Sequence, residues 1–291
     1  MYRYIYTKYM ISIYLQGGLG NQLFQIYACI SYSITHNKVL KLPLYNQNSV
    51  NAKSPYGNSK YDRPAYWDSL FIHLKPFVQE NNSIYKQISQ KYSQRSSHTY
   101  ENIPNMENGL LEGYFQSYKY FQENEDKIHS MLQIKNWQNQ IKLKYTNDYE
   151  NLICVHFRIG DYKHTTYHPI MNSEYYMKSI QFIQESDKIN TILCFYEEND
   201  KDIVKSILED VTHHLKDLNI EFINTSIPDY EQLIIMSLCK HNIIANSSFS
   251  WWGAYLNIHS DAIVCYPDPN TWFQKPVQMD DMFPQNWILI K

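Results

Sequence analysis

The amino-acid sequence predicts an α/β protein made of two units, each with a parallel sheet. The chain has 291 residues, and because a domain usually holds about 100 to 200 residues, this length favours two domains. From residue 151 onward, short apolar runs alternate with segments of helical spacing, and residues 9–42 begin in the same order. Strands that alternate with helices are joined by right-handed crossovers and form parallel sheets covered on both faces. We therefore expect an N-terminal domain over 1–145 and a C-terminal domain over 146–291, which face each other across a cleft.

The N-terminal domain begins with a strand, a glycine turn and a helix. Apolar residues predict the strand at 9–15, three glycines follow it, and apolar spacing predicts the helix at 21–35. A second strand is expected at 39–42 and a further helix at 120–132. Residues 45–106 are rich in Asn, Ser, Tyr and Pro and give no regular pattern. The domain boundary is expected in the polar stretch 135–150.

The C-terminal domain is expected to alternate five strands with four helices. One helix carries Tyr176, Ile180 and Ile183 on one face, and Ser173 stands where its N-cap belongs. The expected strands are 151–157, 191–196, 220–223, 242–245 and 262–266, and the expected helices are 173–186, 202–211, 230–239 and one from about 250. Ligands of such sheets bind outside the carboxyl ends of the strands, so the functional residues are expected there.

Composition narrows the classes of protein to which the chain can belong. Hydrophobic residues make up 44% and charged residues 19%, which suits a packed core and is too apolar for a disordered chain. The formal net charge is -3 and no block of Lys and Arg occurs, so no nucleic-acid partner is expected. No stretch approaches the roughly 18 apolar residues of a membrane-spanning helix, and no export signal stands out. Five cysteines without paired spacing fit buried thiols, so we expect a soluble cytoplasmic protein.

The first candidate motif is the turn Gly17-Gly18-Leu19-Gly20 with the amides Asn21 and Gln22 after it. Glycine lets the backbone adopt positive φ, and the N–H groups at a helix start attract an anion. The spacing is neither a dinucleotide fingerprint, because Leu23 stands where the third glycine belongs, nor a P-loop, because no Gly-Lys-Ser/Thr follows. A purely structural turn and a binding turn both remain open, and the two adjacent amides favour recognition of hydroxyl groups.

The second candidate motif is His156-Phe157-Arg158-Ile159-Gly160-Asp161, at the end of an expected strand. His156 and Arg158 point to the same side if the run stays extended. The chain has 26 basic residues, of which only four are arginines, namely Arg3, Arg63, Arg95 and Arg158. The planar fork of an arginine binds phosphate or carboxylate with two hydrogen bonds. A phosphate site is favoured, and the alternative is a histidine satisfied in the core beside an Arg158–Asp161 ion pair.

The third candidate motif runs from Asn246 to Ala254. A strand that ends in Asn-Ser-Ser-Phe-Ser and enters a helix offers hydroxyl groups and helix N–H groups at one point, which suits a diphosphate. Trp251 and Trp252 are expected to pack in the core rather than to stack on a ligand. Neither a His-Glu-x-x-His nor a Cys-x-x-Cys spacing occurs, so no bound metal is expected.

Together these motifs resemble those of the α-1,2-fucosyltransferases of glycosyltransferase family 11. That family carries GGLGNQ-x-FQ near its N-terminus, H-x-R-x-G-D in mid-chain and NSSFSWWGA late in the chain, and residues 17–25, 156–161 and 246–254 match these in order. Residues 113–117, Gly-Tyr-Phe-Gln-Ser, look like the family's G-Y-W-Q-S. The resemblance covers most of the chain, although residues 45–106 contribute little to it.

The resemblance implies a GT-B fold, with two Rossmann-like domains, and transfer of L-fucose from GDP-β-L-fucose to a sugar hydroxyl. The transfer would invert the anomeric configuration, need no metal or further cofactor, and form an α-1,2 linkage on a galactoside or similar glycan. The N-terminal domain would bind the acceptor and the C-terminal domain the GDP-fucose. The residues implied in binding are His156 and Arg158 at the guanine and β-phosphate, Glu197 and Glu198 at the guanine, Asn246, Ser247, Ser248 and Phe249 at the diphosphate, and Gly18, Asn21 and Gln22 at the sugar or acceptor. Arg158 would stabilise the leaving group, and His156 and Asp161 are candidates for the base.

Two positions depart from the family pattern and leave alternatives open. Many members have a second arginine where this chain has Ile159, and the family's Ser-Asp-Asp after the next strand stands here as Tyr196-Glu197-Glu198. Strand alternation predicts that Ile159 points away from Arg158, into the core. The alternatives are a GT-B transferase for another nucleotide sugar and an inactive relative that binds nucleotide or glycan. The acceptor lies beyond what the sequence indicates.

Overall fold

The computed structural model describes residues 9–44, 64–79 and 82–291. The chain forms two compact units, one of 1–135 with 279–283 and the other of 136–278 with 284–291. Arg3, Arg63 and a part of the patternless segment 45–106 lie outside the described residues. In the part of the chain that is described, no helix is both long and apolar enough to span a bilayer.

The first unit contains a parallel sheet of four strands in the order β2-β1-β6-β5 and a two-stranded sheet of β3 and β4. Its strands are β1 (Met10–Ile13), β2 (Val39–Leu40), β3 (Leu42–Pro43), β4 (Val78–Gln79), β5 (Gln90–Ser93) and β6 (Gly109–Glu112), and its helices are α1 (Leu19–Thr35) and α2 (Glu125–Leu132). Most of α1 is buried, because this helix packs on the sheet as the first crossover. Since β1 and β6 are parallel neighbours, the turns that follow them lie at the same edge of the sheet.

Helix α3 (Ile134–Lys144) crosses from the first unit into the second. The sequence predicts the domain boundary in the polar stretch 135–150, and in the structure α3 occupies most of that stretch. Ile134 and Ile141 are buried while the charged residues between and after them are exposed. Gln138 is the third buried residue of the helix. Since an amphipathic helix usually has three to four apolar residues per two turns, α3 leaves little periodic signal in the sequence.

The second unit contains six parallel strands in the order β12-β11-β10-β7-β8-β9. Its strands are β7 (Ile153–His156), β8 (Thr191–Phe195), β9 (Asn219–Phe222), β10 (His241–Ile243), β11 (Val264–Pro267) and β12 (Ile288–Ile290), and its helices are α4 (Ser173–Ser186), α5 (Lys201–His214), α6 (Asp229–Leu238), α7 (Ser248–Tyr255) and α8 (Pro269–Trp272). From β7 the chain builds outward in one direction through β8 and β9, and then in the other through β10 to β12. The order reverses between β7 and β10, which makes this point the switch point of a doubly wound sheet.

The predicted alternation of the second unit is confirmed, with two differences. Helix α4 buries Tyr176, Ile180 and Ile183 as expected, but its N-cap is Asn172, whose side chain accepts a hydrogen bond from Tyr175 N–H at 3.0 Å. Ser173 is already the first residue of the helix, so its predicted role as the cap is wrong. Strand β12 was not predicted, because it is three residues long and partly exposed.

Candidate functional site

The switch point between β7 and β10 brings two of the three sequence motifs together. Strand β7 ends at His156, and the chain continues through Arg158 into a 3-10 helix at Gly160–His164. Strand β10 ends at Ile243, and the chain continues through Asn246 into α7. The carboxyl ends of neighbouring parallel strands lie at one edge of a sheet, and the two chains leave this edge in opposite directions. The result is the crevice in which doubly wound sheets bind ligands.

Arg158 is held at this edge by two carboxylates and an aromatic ring. Its guanidinium donates to Glu197 Oε1 at 2.6 Å and forms a second, short ion pair with Asp161. The same group lies 4.9 Å from the ring centre of Tyr162. Burial lowers the pKa of Arg158, but Tyr162, Asp161 and Glu197 outweigh this effect and raise the pKa above its usual value. The predicted cation is therefore in place and partly buried, and the alternative Arg158–Asp161 ion pair is present as well.

His156 is buried beside Arg158, and its Nδ1 has no hydrogen-bond partner among the residues that the structure describes. Its ring centre lies 5.7 Å from that of Phe249, which begins the first turn of α7. Burial, assisted by the charge of Arg158, lowers the pKa of His156 to about 3. The imidazole is therefore neutral at physiological pH and a weak proton acceptor. A buried nitrogen without a partner costs free energy, which is a common property of a group that meets a ligand.

The four residues 246–249 have two roles: Asn246 anchors the segment in the core, and the other three form the start of α7. Asn246 is buried, and its amide donates to the carbonyl oxygens of Pro169 at 2.9 Å and Trp272 at 3.1 Å. Ser247 is the N-cap of α7, and its hydroxyl accepts from Phe249 N–H at 3.3 Å. Ser248 is the first residue of the helix. This arrangement leaves the N-terminal end of α7 at the switch point, where an anion is favoured.

Trp251 and Trp252 are fully buried, as expected for packing residues. Trp251 stacks on Tyr255 at 4.6 Å and contacts Trp287 at 5.4 Å between ring centres. These rings hold α7 against the rest of the second unit, and they thereby fix the position of its N-terminus.

Glu197 and Glu198 follow β8, and both side chains are more than half exposed. Glu197 pairs with Arg158, and its carboxylate lies against Gly160. Glu198 accepts from the Thr225 hydroxyl at 2.7 Å and pairs with Lys201. Glu197 is therefore at the switch point, while Glu198 is engaged on the side of β9.

Asp200 was missed by sequence reasoning, although it organises the turn after Arg158. This carboxylate is 1% exposed and accepts from Gly160 N–H at 2.7 Å and Lys163 Nζ at 2.6 Å. It also forms an Asp-x-Asp triplet with Asp202, a spacing that holds a cation in some enzymes. Here Asp200 is occupied by the turn and Asp202 is exposed. No group of three His, Cys, Asp or Glu side chains that could hold a metal is found within 9–44, 64–79 and 82–291.

The glycine turn lies in the first unit and is held by amide side chains. Gly17 has φ of 78° and sits against the Asn21 side chain, while Gly18 precedes α1 in extended conformation. Gln22 is fully buried and donates to Gly17 O at 3.1 Å and Pro64 O at 2.8 Å. The Gln22 amide therefore supports the turn, and Asn21 is the more accessible of the two predicted recognition amides.

Two glutamines connect the glycine turn to the segment that follows β6. Gln25 accepts from Gln16 N–H at 3.0 Å and donates to Gly113 O at 3.0 Å. Gln116 donates to Asn21 Oδ1 at 2.8 Å. Both glutamines belong to motifs quoted in the sequence, but neither was assigned a role. The structure explains why the two motifs are present together: each one completes the hydrogen bonds of the other.

The chain is similar to known proteins over most of its length. Residues 69–291 match the family model described as Glycosyl transferase family 11. An alpha-1,2-colitosyltransferase of Escherichia coli is 27% identical, over 95% of this chain and 97% of its own length. The O-antigen biosynthesis glycosyltransferase WbnK of Escherichia coli is 29% identical, over 89% of this chain and 93% of its own length. A galactoside 2-alpha-L-fucosyltransferase of Caenorhabditis elegans is 23% identical, over 97% of this chain and 76% of its own length.

Among solved structures, a mutant of Arabidopsis thaliana FUT1 in complex with GDP has a TM-score of 0.47 and 11% identity, over 95% of this chain and 75% of that chain. The parallel sheets of the two units confirm the expected fold class, an α/β protein with two Rossmann-like units.

Proposed function

Because the chain belongs to glycosyltransferase family 11, we propose that it transfers L-fucose from GDP-β-L-fucose to a hydroxyl group of a glycan. The proposed transfer inverts the anomeric configuration and forms an α-1,2 linkage on a galactoside or similar acceptor. The observation that supports this most is the position of Arg158 at the switch point, in contact with Tyr162, whose hydroxyl donates to the backbone oxygen of Asn246 shortly before α7. We assign the donor to the second unit and the acceptor to the first.

The chemistry of the transfer requires positive charge at the leaving group. As the bond between the sugar and GDP breaks, negative charge grows on the β-phosphate and positive charge on the anomeric carbon. Preorganised donors stabilise such a charge better than water does, because they need no reorganisation during the reaction. Arg158 and the N–H groups at the start of α7 are the donors at this edge, and Asn246 and Ser247 hold the helix start in place.

In this proposal the carboxylates of Asp161 and Glu197 hold the guanidinium until the diphosphate takes their place. Glu197 is the more exposed of the two, so it is the carboxylate that exchanges more easily. His156 would contact the guanine with its Nδ1, for which the described part of the chain offers no hydrogen-bond partner. Its low pKa makes His156 a poor base for the acceptor hydroxyl, which leaves Asp161 as the remaining candidate for that role.

A second donor is favoured by one comparison. The relative that is 27% identical over 95% of this chain is named a colitosyltransferase, and colitose is the 3-deoxy counterpart of fucose. A site that makes no hydrogen bond to the sugar's 3-hydroxyl would accept both sugars. We therefore place GDP-colitose second, ahead of GDP-mannose and the UDP-sugars.

The experiment that tests the proposal is a donor panel against a set of galactoside-terminated glycans, with each product identified by mass and linkage. Transfer from GDP-fucose, with EDTA present, is the expected result. Transfer from GDP-colitose alone would move the assignment to the second donor. GDP binding without turnover of any donor would identify an inactive relative, and activity that EDTA abolishes and Mn²⁺ restores would contradict the metal-free mechanism.

A further inference from the structure

We infer that Tyr162 is a positioning residue for Arg158: its ring contacts the guanidinium, and its hydroxyl binds the backbone of the segment that follows β10. The inference rests on the proposed function, since it concerns how Arg158 meets the phosphate of the donor. All residues involved lie in the second unit.

Tyr162 connects the chain that leaves β7 to the chain that leaves β10. The Arg158 guanidinium lies 4.9 Å from its ring centre, within the distance at which a cation and an aromatic ring attract each other. The Tyr162 hydroxyl donates to the backbone oxygen of Asn246 at 3.0 Å. The Asn246 amide itself donates to the carbonyl oxygens of Pro169 and Trp272, so the ring is anchored to a buried residue that is held in place by two hydrogen bonds.

The backbone of Tyr162 is fixed independently. Asp200 binds the amide of Gly160 and the ammonium of Lys163, the residues on either side of the Asp161–Tyr162 pair. Tyr162 N–H donates to Ile159 O at 2.7 Å. The ring is therefore held at both ends, by its backbone on the β8 side of the crevice and by its hydroxyl on the β10 side.

A second aromatic ring supports the first. His168 stacks on Tyr162 with the ring centres 4.4 Å apart and the planes at 11°, and His168 also contacts Phe273 at 5.0 Å. Burial lowers the pKa of His168, an effect that Asp161 opposes and Arg158 reinforces. A neutral imidazole adds packing without repelling the guanidinium.

The contacts of Arg158 differ in whether they can persist when phosphate binds. Asp161 and Glu197 use the N–H groups at the edge of the guanidinium, which are the groups that a phosphate needs. Tyr162 contacts the guanidinium with its ring and carries no negative charge, so a phosphate that pairs with Arg158 does not need to displace it as it displaces a carboxylate. Tyr162 is thus the contact that can hold Arg158 in place throughout the exchange of carboxylate for phosphate.

The test compares Tyr162→Phe, Tyr162→Leu and Tyr167→Leu in the full-length protein. Tyr167 is the matched control, because it belongs to the same loop, is 48% exposed and also contacts His168. Affinity for GDP is measured by calorimetry, kcat and KM are measured with GDP-fucose, and thermal unfolding is followed for each variant.

We expect Tyr162→Leu to weaken GDP binding and lower kcat, each on the order of tenfold, a size consistent with a partly buried cation–ring contact. Tyr162→Phe keeps the ring and should recover most of the loss, and Tyr167→Leu should remain within about twofold of wild type.

A double-mutant cycle shows whether Tyr162 positions Arg158 or only stabilises the fold. In an Arg158→Met background the ring has no cation to hold, so adding Tyr162→Leu should change GDP affinity less than twofold. An equal loss in both backgrounds, or wild-type affinity in Tyr162→Leu, would overturn the inference while leaving the proposed function intact. If wild type binds GDP but transfers no sugar, the proposed function fails and the affinity cycle still decides the role of Tyr162. Absence of GDP binding by wild type would overturn both.

Discussion

The substitution Arg158→Lys tests the shape of the guanidinium group separately from its charge. A lysine keeps the charge but loses the planar fork and the guanidinium group that lies over the Tyr162 ring. Loss of one preorganised donor usually costs about 2 to 4 kcal/mol of transition-state stabilisation. We therefore expect Arg158→Lys to lower kcat roughly 30- to 1000-fold with an unchanged Tm. Arg95→Lys is the matched control, because Arg95 is 88% exposed and pairs with Glu101. Turnover within threefold of wild type would show that Arg158 is no phosphate ligand.

Substitutions at Ile159 test the position where many family members have a second arginine. It is 1% exposed, as strand alternation predicted, so an arginine there would be buried without a partner. An uncompensated buried charge costs several kcal/mol, on the order of 3 to 5. Ile159→Arg should therefore lower Tm by many degrees and leave kcat no higher than in wild type, whereas Ile159→Val should cost only about 1 kcal/mol. A variant as stable as wild type and tenfold faster would mean that position 159 faces the phosphate.

His156 gives the protein a predictable sensitivity to acid. Its pKa in the folded state is about 3, below the usual value of about 6.5. Between these two values the unfolded chain binds a proton that the folded protein does not, so stability falls as pH falls. The slope is up to about 1.4 kcal/mol per pH unit. His156→Gln should flatten the dependence of Tm on pH between 6.5 and 4, while the exposed His213→Gln should not change it. Parallel curves for all three proteins would contradict the buried, neutral state of His156.

At the scale of elements, the contributions of the neighbouring residues Asn172 and Ser173 to the stability of α4 can be compared directly. Asn172 accepts from Tyr175 N–H, and the loss of an N-cap costs about 1 kcal/mol, with a range of about 0.5 to 2. Asn172→Ala should lower the stability of the second unit by that amount, and Ser173→Ala should leave it nearly unchanged. Denaturant titrations of the two variants decide between them, and the reverse order would restore Ser173 as the cap.

The elements that the sequence predicts well are those with a strong periodic signal. Strands β7, β8 and β11 of the second unit are mostly apolar and buried, because parallel strands inside a sheet are covered on both faces. Helix α3 and strand β12 escape prediction because few of their residues are buried. Cap residues are also hard to assign, since Asn172 and Ser173 are both good N-caps and only the backbone geometry distinguishes them.

The candidate site was likewise predicted from the sequence only in part. The meeting of His156, Arg158 and the start of α7 follows from the rule that parallel strands end at one edge. The partners of Arg158 do not follow from it, because Glu197 and Tyr162 reach the guanidinium through loop conformations. Gln22 is another example. Its amide side chain is of the kind that recognises hydroxyl groups, but in the structure that amide donates to the carbonyl oxygens of Gly17 and Pro64.

At the scale of the whole molecule, residues 279–283 belong to the first unit although the chain around them belongs to the second. Asp281 connects this segment to its unit: it pairs with Lys119 and accepts from Tyr100 N–H at 2.9 Å. Hydrogen bonds to charged groups contribute about 1.5 to 3 kcal/mol. Asp281→Ala should therefore destabilise the first unit by about that amount and speed hydrogen exchange around Tyr100. The exposed neighbour Asp280→Ala is the control, and equal exchange in both variants would mean that Asp281 does not hold the segment.

The return of residues 279–283 to the first unit has a consequence for synthesis on the ribosome. Domains usually fold in order as the chain emerges, the N-terminal one first. Here the first unit lacks Met282 and Phe283, both buried, until residue 283 has been translated. Strand β12 of the second unit is translated only after that. Both units therefore reach their final packing only after these segments have left the ribosome, and until then each exposes apolar surface that a chaperone would bind.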